Sequence, residues 1–355
     1  MNKNDRVDKK RFQDTEIAQT DILKNLTNFH YEKCYNYAKI IDFFNVNPNN
    51  IKKLSQVPYL PVSIFKTHKL LSVPESEIVK TLTSSGTSGQ MVSKIYLDKQ
   101  TATDQIRVLA KLLEPYLGPA RLPMLVLDSE SVVKSRETYS ARAAGVLGFS
   151  IFASSVTYAL DSEMRPNFQL VSEFVQKHKD QPILLYGFTF IAWKNFIQQA
   201  KIEKQQFPLV KGVFIHGGGW KKMQDVSLSA TEFRKIVHDV FHIDEVVNYY
   251  GMAEQTGSIF LECPSGFFHS TDFSNVVIRD FGSLDPVGHG IEGFLQTLST
   301  VPKSYPGHSL LTEDIGVTHG IDDCSCGGGG IYFSVKGRIP RAEIRGCSDT
   351  YDPLN

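Results

Sequence analysis

Thr83-Ser84-Ser85-Gly86-Thr87-Ser88-Gly89-Gln90 sets four hydroxyls and two glycines within the six residues 84–89. The glycines let backbone N–H groups close around an anion, and the hydroxyls add donors aimed the same way. That chemistry suits the phosphates of a nucleotide. The kinase-type spacing G-x-x-x-x-G-K-[ST] is absent, and Gln90 stands where its lysine would be. A flexible surface linker has the same composition, so the stretch alone leaves both readings open.

Downstream, short apolar runs alternate with longer amphipathic ones. Residues 123–127, 182–186, 210–215 and 245–250 read as buried strands, and 101–117, 136–147, 166–179, 189–201 and 226–241 as helices. This alternation predicts an α/β sheet with mostly parallel strands, whose ligands bind beyond the carboxyl ends of the strands. Three of the runs end in glycine-bearing, aromatic turns: Tyr186-Gly187-Phe188, His216-Gly217-Gly218-Gly219-Trp220 and Tyr249-Tyr250-Gly251-Met252-Ala253-Glu254. Such turns leave room for a planar ligand and offer rings to stack on it.

Upstream, residues 15–46 carry helical spacing, with Cys34 expected in the core. The segment Val57-Pro58-Tyr59-Leu60-Pro61-Val62 is a proline-broken extended piece. From about residue 275 short strand-like runs at 276–278, 293–298, 309–311 and 331–335 predict a β-rich subdomain of barrel-like character. The expected organisation is a helical region over 1–54, an α/β core over 55–275, the β-rich part over 276–340 and a hinge-like tail over 341–355.

The chain has 355 residues, with 38 Lys and Arg against 38 Asp and Glu, and no basic stripe. Balanced charge argues against nucleic acid as a partner. No apolar run approaches the roughly 20 residues of a membrane span, and the polar N-terminus is no signal peptide. Five cysteines, few and odd in number, fit a reducing cytoplasm better than a secreted disulfide framework.

Taken in order, Ser84-Ser85-Gly86-Thr87-Ser88-Gly89, Tyr250-Gly251-Met252-Ala253-Glu254, Thr312-Glu313-Asp314 and Gly337-Arg338 resemble the core motifs of the adenylate-forming superfamily. The Val57–Val62 segment, with Phe65-Lys66 after it, is similar to the LuxE-type acyl-protein synthetases, relatives of the phenylacetate-CoA ligases. The resemblance implies a long-chain acid–thiol ligase that uses ATP and Mg²⁺. It would form acyl-AMP from a fatty acid, move the acyl group to its own Cys347 and deliver it to a partner reductase. It implies that Ser84, Ser85, Thr87 and Ser88, with Gly86 and Gly89, cradle the β- and γ-phosphates, and that Glu254 holds Mg²⁺. Asp314 would bind ribose, Arg338 ribose or phosphate, and Gly217, Gly218, Tyr250 and Gly251 would line the adenine and acyl slots. A superfamily C-terminal lid with its lysine is expected to be absent or truncated, with Lys94 as a candidate stand-in. Ala253 replaces the usual threonine.

Two alternatives stay open. A CoA ligase shares the same adenylation step and differs only in the acceptor, and a non-catalytic nucleotide-binding homologue would share the site without the chemistry. Cys263, His269, Cys324 and Cys326 supply three thiols and an imidazole, the donor set of a closed structural zinc site, and buried reduced thiols are the rival reading.

Overall fold

The computed structural model describes residues 3–83, 92–134, 141–209, 211–218 and 228–339. In chain order its strands are β1 (Leu60–Pro61), β2 (Ile78–Thr83), β3 (Lys94–Asp98), β4 (Leu122–Ser129), β5 (Ala153–Leu160), β6 (Ile183–Phe188), β7 (Gly212–Gly217), β8 (Glu245–Tyr250), β9 (Phe260–Leu261), β10 (Phe268–His269), β11 (Ser274–Arg279), β12 (Gly293–Ser299), β13 (Ser309–Ile321) and β14 (Ile331–Arg338). The described residues divide into two units: those within 3–83, 92–109 and 251–339 form one, and those within 110–250 the other. The N-terminal helices and the β-rich strands therefore share a unit, interleaving the consecutive segments expected above.

The second unit is built on a parallel sheet in the order β5-β4-β6-β7-β8. Strands β4 and β6 are buried along their whole length, which is why they read as unbroken apolar runs. The chain leaves β4 first to one side, to β5, and later returns to the other, to β6. The strand order thus reverses between β4 and β6, the position where such sheets open a crevice. Strand β5 carries no sequence signal: Ala-Ser-Ser-Val-Thr-Tyr-Ala-Leu is a sheet edge, three of its eight residues exposed and only the last two buried, with no apolar run. The helix Ala230–Phe241 starts at a capping box in which Ser229 and Glu232 bond reciprocally, and buries Phe233, Ile236, Val237, Val240 and Phe241 along one face. The helical stretch expected at 189–201 is interrupted by a π-turn over Trp193–Ile197, which buries both Trp193 and Phe196.

In the first unit the strand order is β10-β14-β13-β12-β11, antiparallel throughout. The order runs in an open line, so the barrel-like character expected from sequence is corrected to an open sheet. β13 is long enough to be shared along one edge. Leu310 and Leu311 pair with β1, and Asp314 to Ile321 pair with β14. The extended piece before β1 is tied down at Val57, whose carbonyl accepts from Gln296, and at Ser55, whose carbonyl accepts from Arg279. Helix Lys3–Lys33 docks on this sheet through Leu23, packed with Ile51, Leu54, Val57 and Leu298, and through His30 beside His308. Cys34 is buried as expected, but it occupies the break between this helix and Tyr35–Phe43.

Candidate active site

The register of β13 against β14 sets Asp314 directly opposite Arg338, and Arg338 Nε lies 3.6 Å from Asp314 Oδ1. A bulge between Ile315 and Gly316 leaves Lys336 unpaired and places Gly337 at φ +148, a conformation that glycine adopts readily. Without that extra residue Arg338 would be out of step with Asp314. The Thr312 hydroxyl donates to the Leu295 carbonyl (2.8 Å) and accepts from the Asp314 N–H (3.1 Å), fixing the backbone at the acid. Two motifs far apart in sequence thus become one carboxylate–guanidinium pair, of which Asp314 is buried and Arg338 half-exposed.

Glu254 sits on the single 3₁₀ turn Ala253–Gln255 and is buried. Its main chain is held on both sides. The Tyr305 hydroxyl donates to the Glu254 carbonyl (2.8 Å), and the neighbouring Gln255 side chain donates through Nε2 to the carbonyls of Gly307 (2.8 Å) and Thr297 (3.2 Å). Gly307 has to be glycine, because an added Cβ would lie 2.2 Å from the Tyr305 ring and 3.0 Å from the Glu254 carbonyl. Burial pushes the Glu254 carboxyl above its ordinary range. A hydrogen bond from the Ser93 side chain and the positive charges of Arg338 and Lys66 act in the opposite sense. Arg338 therefore acts on both acids.

Ser93, fully buried, follows the hydroxyl-rich stretch in the hairpin that joins β2 to β3. Thr83 pairs with Lys94 across that hairpin, so the two roots of the loop are neighbours and one of them is tied to Glu254. Residues 84–89 themselves, Ser84, Ser85, Gly86, Thr87, Ser88 and Gly89, lie outside the described residues, as does Cys347. Lys94, the candidate substitute for a lid lysine, is the first residue of β3 and exposed. Sequence reasoning assigned no role to Lys66, Ser93 or Tyr305. A lone serine or tyrosine carries no motif, and only the fold brings Ser93 and Tyr305 to the acid.

In the second unit the carboxyl ends of β6, β7 and β8 are level: Phe188 pairs with Gly217, and Gly217 with Tyr249. The Tyr186 and Tyr249 hydroxyls are 3.0 Å apart, and Phe149 stacks on Tyr186 with ring centroids 4.4 Å apart. Glycines make this aromatic packing fit. A Cβ on Gly217 would lie 2.5 Å from the Tyr249 ring, one on Gly218 would lie 2.6 Å from Phe188, and one on Gly145 would lie 2.2 Å from the Tyr186 hydroxyl. The Thr189 hydroxyl donates to the Gly217 carbonyl (3.0 Å) and accepts from His216 Nδ1 (2.9 Å), which fixes the turn. Tyr250 and Gly251 follow at the end of β8, both half-buried. Phe149 is a member of this cluster that the sequence did not single out.

The four sulfur and nitrogen ligands converge. One ligand atom each from Cys263, His269, Cys324 and Cys326 lies within 4.8 Å of all the others. Cys263 Sγ is 3.9 Å from Cys324 Sγ, and Cys326 Sγ is 3.4 Å from His269 Nε2. His269 Nδ1 donates to the Gly329 carbonyl (3.1 Å), leaving the Nε2 lone pair turned into the cluster, and the Gly328 N–H donates to Cys326 Sγ (3.2 Å). Gly328 closes the cradle, since a Cβ there would meet both Cys326 Sγ and the His269 ring at 3.1 Å. Burial, with the neighbouring thiols adding to it, pushes Cys326 up to about 11. The donor set, its spacing and its supporting hydrogen bonds fit a tetrahedral zinc ion.

This fold is that of the adenylate-forming ligases. It matches 2-hydroxyisobutyryl-CoA ligase, solved with 2-HIB-AMP and CoA, with a TM-score of 0.67 at 15% identity, over 91% of this chain and 74% of that one. A long-chain-fatty-acid-CoA ligase from Archaeoglobus fulgidus matches with a TM-score of 0.50 at 13% identity, over 75% of this chain and 52% of that one. Within that class the model of the acyl-protein synthetase family LuxE matches residues 5–353, and the chain belongs to that family. The long-chain-fatty-acid–luciferin-component ligase of Vibrio harveyi is 24% identical over 340 residues, covering 92% of this chain and 85% of the relative. Its counterpart from Aliivibrio fischeri is 23% identical over 354 residues, covering 95% and 88%. No helix among the described residues is long and apolar enough to cross a membrane.

Proposed function

We propose that this chain activates a fatty acid as its acyl adenylate, using ATP and Mg²⁺, and passes the acyl group to a protein thiol. The family membership supports the reaction class, and the long-chain fatty acid named for the Vibrio and Aliivibrio relatives supports such an acid as substrate. The observation that carries the reading is the convergence on Glu254. The root of the hydroxyl-rich loop reaches this buried acid through Ser93, and the Arg338 of the Asp314 pair reaches it from β14.

In the first step a carboxylate oxygen of the acid attacks the α-phosphorus of ATP. The new O–P bond replaces the bond to the β-phosphate, and pyrophosphate leaves. Glu254 would be the hard oxygen ligand for a magnesium ion, which would supply charge neutralisation to the phosphates when bound. Ser84, Ser85, Thr87 and Ser88, with Gly86 and Gly89, donate to the departing phosphates. Asp314 accepts from the ribose hydroxyls, and Arg338 fixes Asp314 and adds positive charge. Gly217, Gly218, Tyr250 and Gly251 border the adenine and the acyl chain beside the aromatic cluster. In the second step a Cys347 thiolate attacks the acyl carbon and AMP leaves with the bonding pair, giving a thioester. A reductase or carrier protein then takes the acyl group. The Cys263/His269/Cys324/Cys326 cluster would hold a structural zinc and takes no part in either step.

The test is exchange of labelled pyrophosphate into ATP, measured over a panel of fatty acids, followed by acyl labelling of the protein. Exchange that requires a fatty acid is expected. Cys347→Ser should keep the exchange and lose the label. Free acyl-CoA on addition of CoA, with no protein label, would favour the ligase alternative, and nucleotide binding without exchange would leave only a binding protein.

A further inference from the structure

The segment 300–308, which joins β12 to β13, is a loop that the fold buries. Of Val301-Pro302-Lys303-Ser304-Tyr305-Pro306-Gly307-His308 only Lys303 is exposed, and its ammonium pairs with Asp104 (3.0 Å). Loops keep to the surface because a buried one must satisfy its backbone polar groups without water. Here they are satisfied. Pro302 and Pro306 have no N–H to place. The Ser304 N–H donates to the Thr101 hydroxyl (3.1 Å), and the Ser304 carbonyl accepts from the Ser72 N–H (2.8 Å). The Gly307 N–H closes a tight turn onto the Tyr305 carbonyl (2.8 Å), and the His308 carbonyl accepts from the Ser299 N–H (2.8 Å).

Side chains anchor the same segment. The Ser304 hydroxyl donates to the Tyr96 carbonyl on β3 (2.7 Å), His30 donates to the Pro302 carbonyl (3.3 Å), and His308 meets Thr27 (3.0 Å) and Tyr37 (3.4 Å). Phe65 lies edge-on to Tyr305, with ring centroids 6.0 Å apart. These anchors surround one phenol. Tyr305 is fully buried and donates to the Glu254 carbonyl, while the Gly307 carbonyl beyond it accepts from Gln255, the next residue after Glu254. Burial pushes the Tyr305 hydroxyl well above its ordinary range, and the Glu254 charge acts in the same sense, so the group stays a donor. The turn that carries Glu254 is only three residues long, and a 3₁₀ turn by itself is a weak mount for an acid.

We propose that Tyr305 is the positioning residue of Glu254, and that the segment 300–308 is a strap through which the N-terminal helices and β3 hold that acid ready for a metal ion. The assignment rests on the adenylation reading above and adds to it a residue that touches neither substrate nor metal. Magnesium demands near-ideal ligand geometry, so a carboxylate whose main chain is loose binds it less well. The strap fixes that main chain before any ligand arrives, which removes the cost of ordering it from binding.

Calorimetric titration with Mg·ATP and, in magnesium-free buffer, with ATP alone tests this without any need for turnover. Tyr305→Phe keeps the ring and removes the donor. It should weaken Mg·ATP binding about 5-fold, the worth of one hydrogen bond, and leave the binding of metal-free ATP within about 2-fold of wild type. A role in folding alone would weaken both forms alike and leave their ratio unchanged. Tyr37→Phe is the control. It removes a hydroxyl, likewise buried, at the far end of the strap, where Thr27 also holds His308, and it should keep the wild-type ratio of the two affinities. If Tyr305→Phe does not fold, Ser304→Ala, which releases the strap from β3, takes its place and should shift the ratio the same way by about 2-fold or more. An unchanged ratio in the folded variant would overturn the assignment, as would an equal shift in Tyr37→Phe. A wild-type protein that binds both forms equally would also overturn it, while leaving nucleotide binding intact. One that binds neither would instead overturn the adenylation reading, and the Tyr305 role with it.

Discussion

Acid should loosen the first unit by an amount that its buried histidines fix. His30 Nε2 lies 3.3 Å from the Pro302 carbonyl and donates to it, and Nδ1 lies 2.7 Å from the Ser72 hydroxyl. The ring stacks on His308 at 4.9 Å. His308 meets Thr27 through Nε2 (3.0 Å), while its Nδ1 has no partner among the described residues. Burial lowers His30 from 6.5 to about 3, and burial together with the charge of His30 holds His308 well below 6.5. A base with a depressed folded pKa binds fewer protons folded than unfolded. Stability therefore falls as the pH drops below about 6.5, and the loss levels off near about 3. For His30 alone, moving from pH 7 to pH 5 costs about 2 kcal/mol, and His308 adds to this in the same direction. His30→Gln keeps a donor for Pro302 and an acceptor for Ser72 but cannot titrate. Urea unfolding at a series of pH values should show about 2 kcal/mol less pH-dependent loss in that variant, even though it is less stable at neutral pH. An identical pH dependence in variant and wild type would refute the reasoning.

Three further outcomes follow from the geometry. Arg338→Met removes a cation that acts on both Glu254 and Asp314, so pyrophosphate exchange should fall about 100-fold, with a smaller change in the melting temperature. Metal analysis of the purified protein should find one zinc per chain; Cys326→Ser should lose it and melt at lower temperature, and a metal-free wild type would remove the zinc assignment. Gly218→Ala forces a side chain into φ +88 with its Cβ 2.6 Å from the Phe188 ring, and should cost about 2–4 kcal/mol of stability, read by urea titration of the purified variant.

The sequence by itself determined the parallel sheet and the β-rich character of the later strands through their apolar runs and turns. Buried strands covered on both faces cannot avoid being written as Leu-Pro-Met-Leu-Val-Leu or Ile-Leu-Leu-Tyr. It also carried the motif residues themselves, since glycines, paired acids and a Cys/His set are sparse enough to be noticed. What it could not give was β5, an edge strand whose half-exposed face permits Ser and Thr, nor an open sheet in place of a barrel, which depends on which strands remain edges. Tertiary structure alone decided the partnerships. One bulge puts Arg338 opposite Asp314, the Tyr305 hydroxyl holds the Glu254 carbonyl, and two distant loops bring Cys263 and His269 to Cys324 and Cys326. Local preference is written in neighbouring residues, whereas register and shared edges depend on residues far apart in the chain, which leave no periodic mark in either segment.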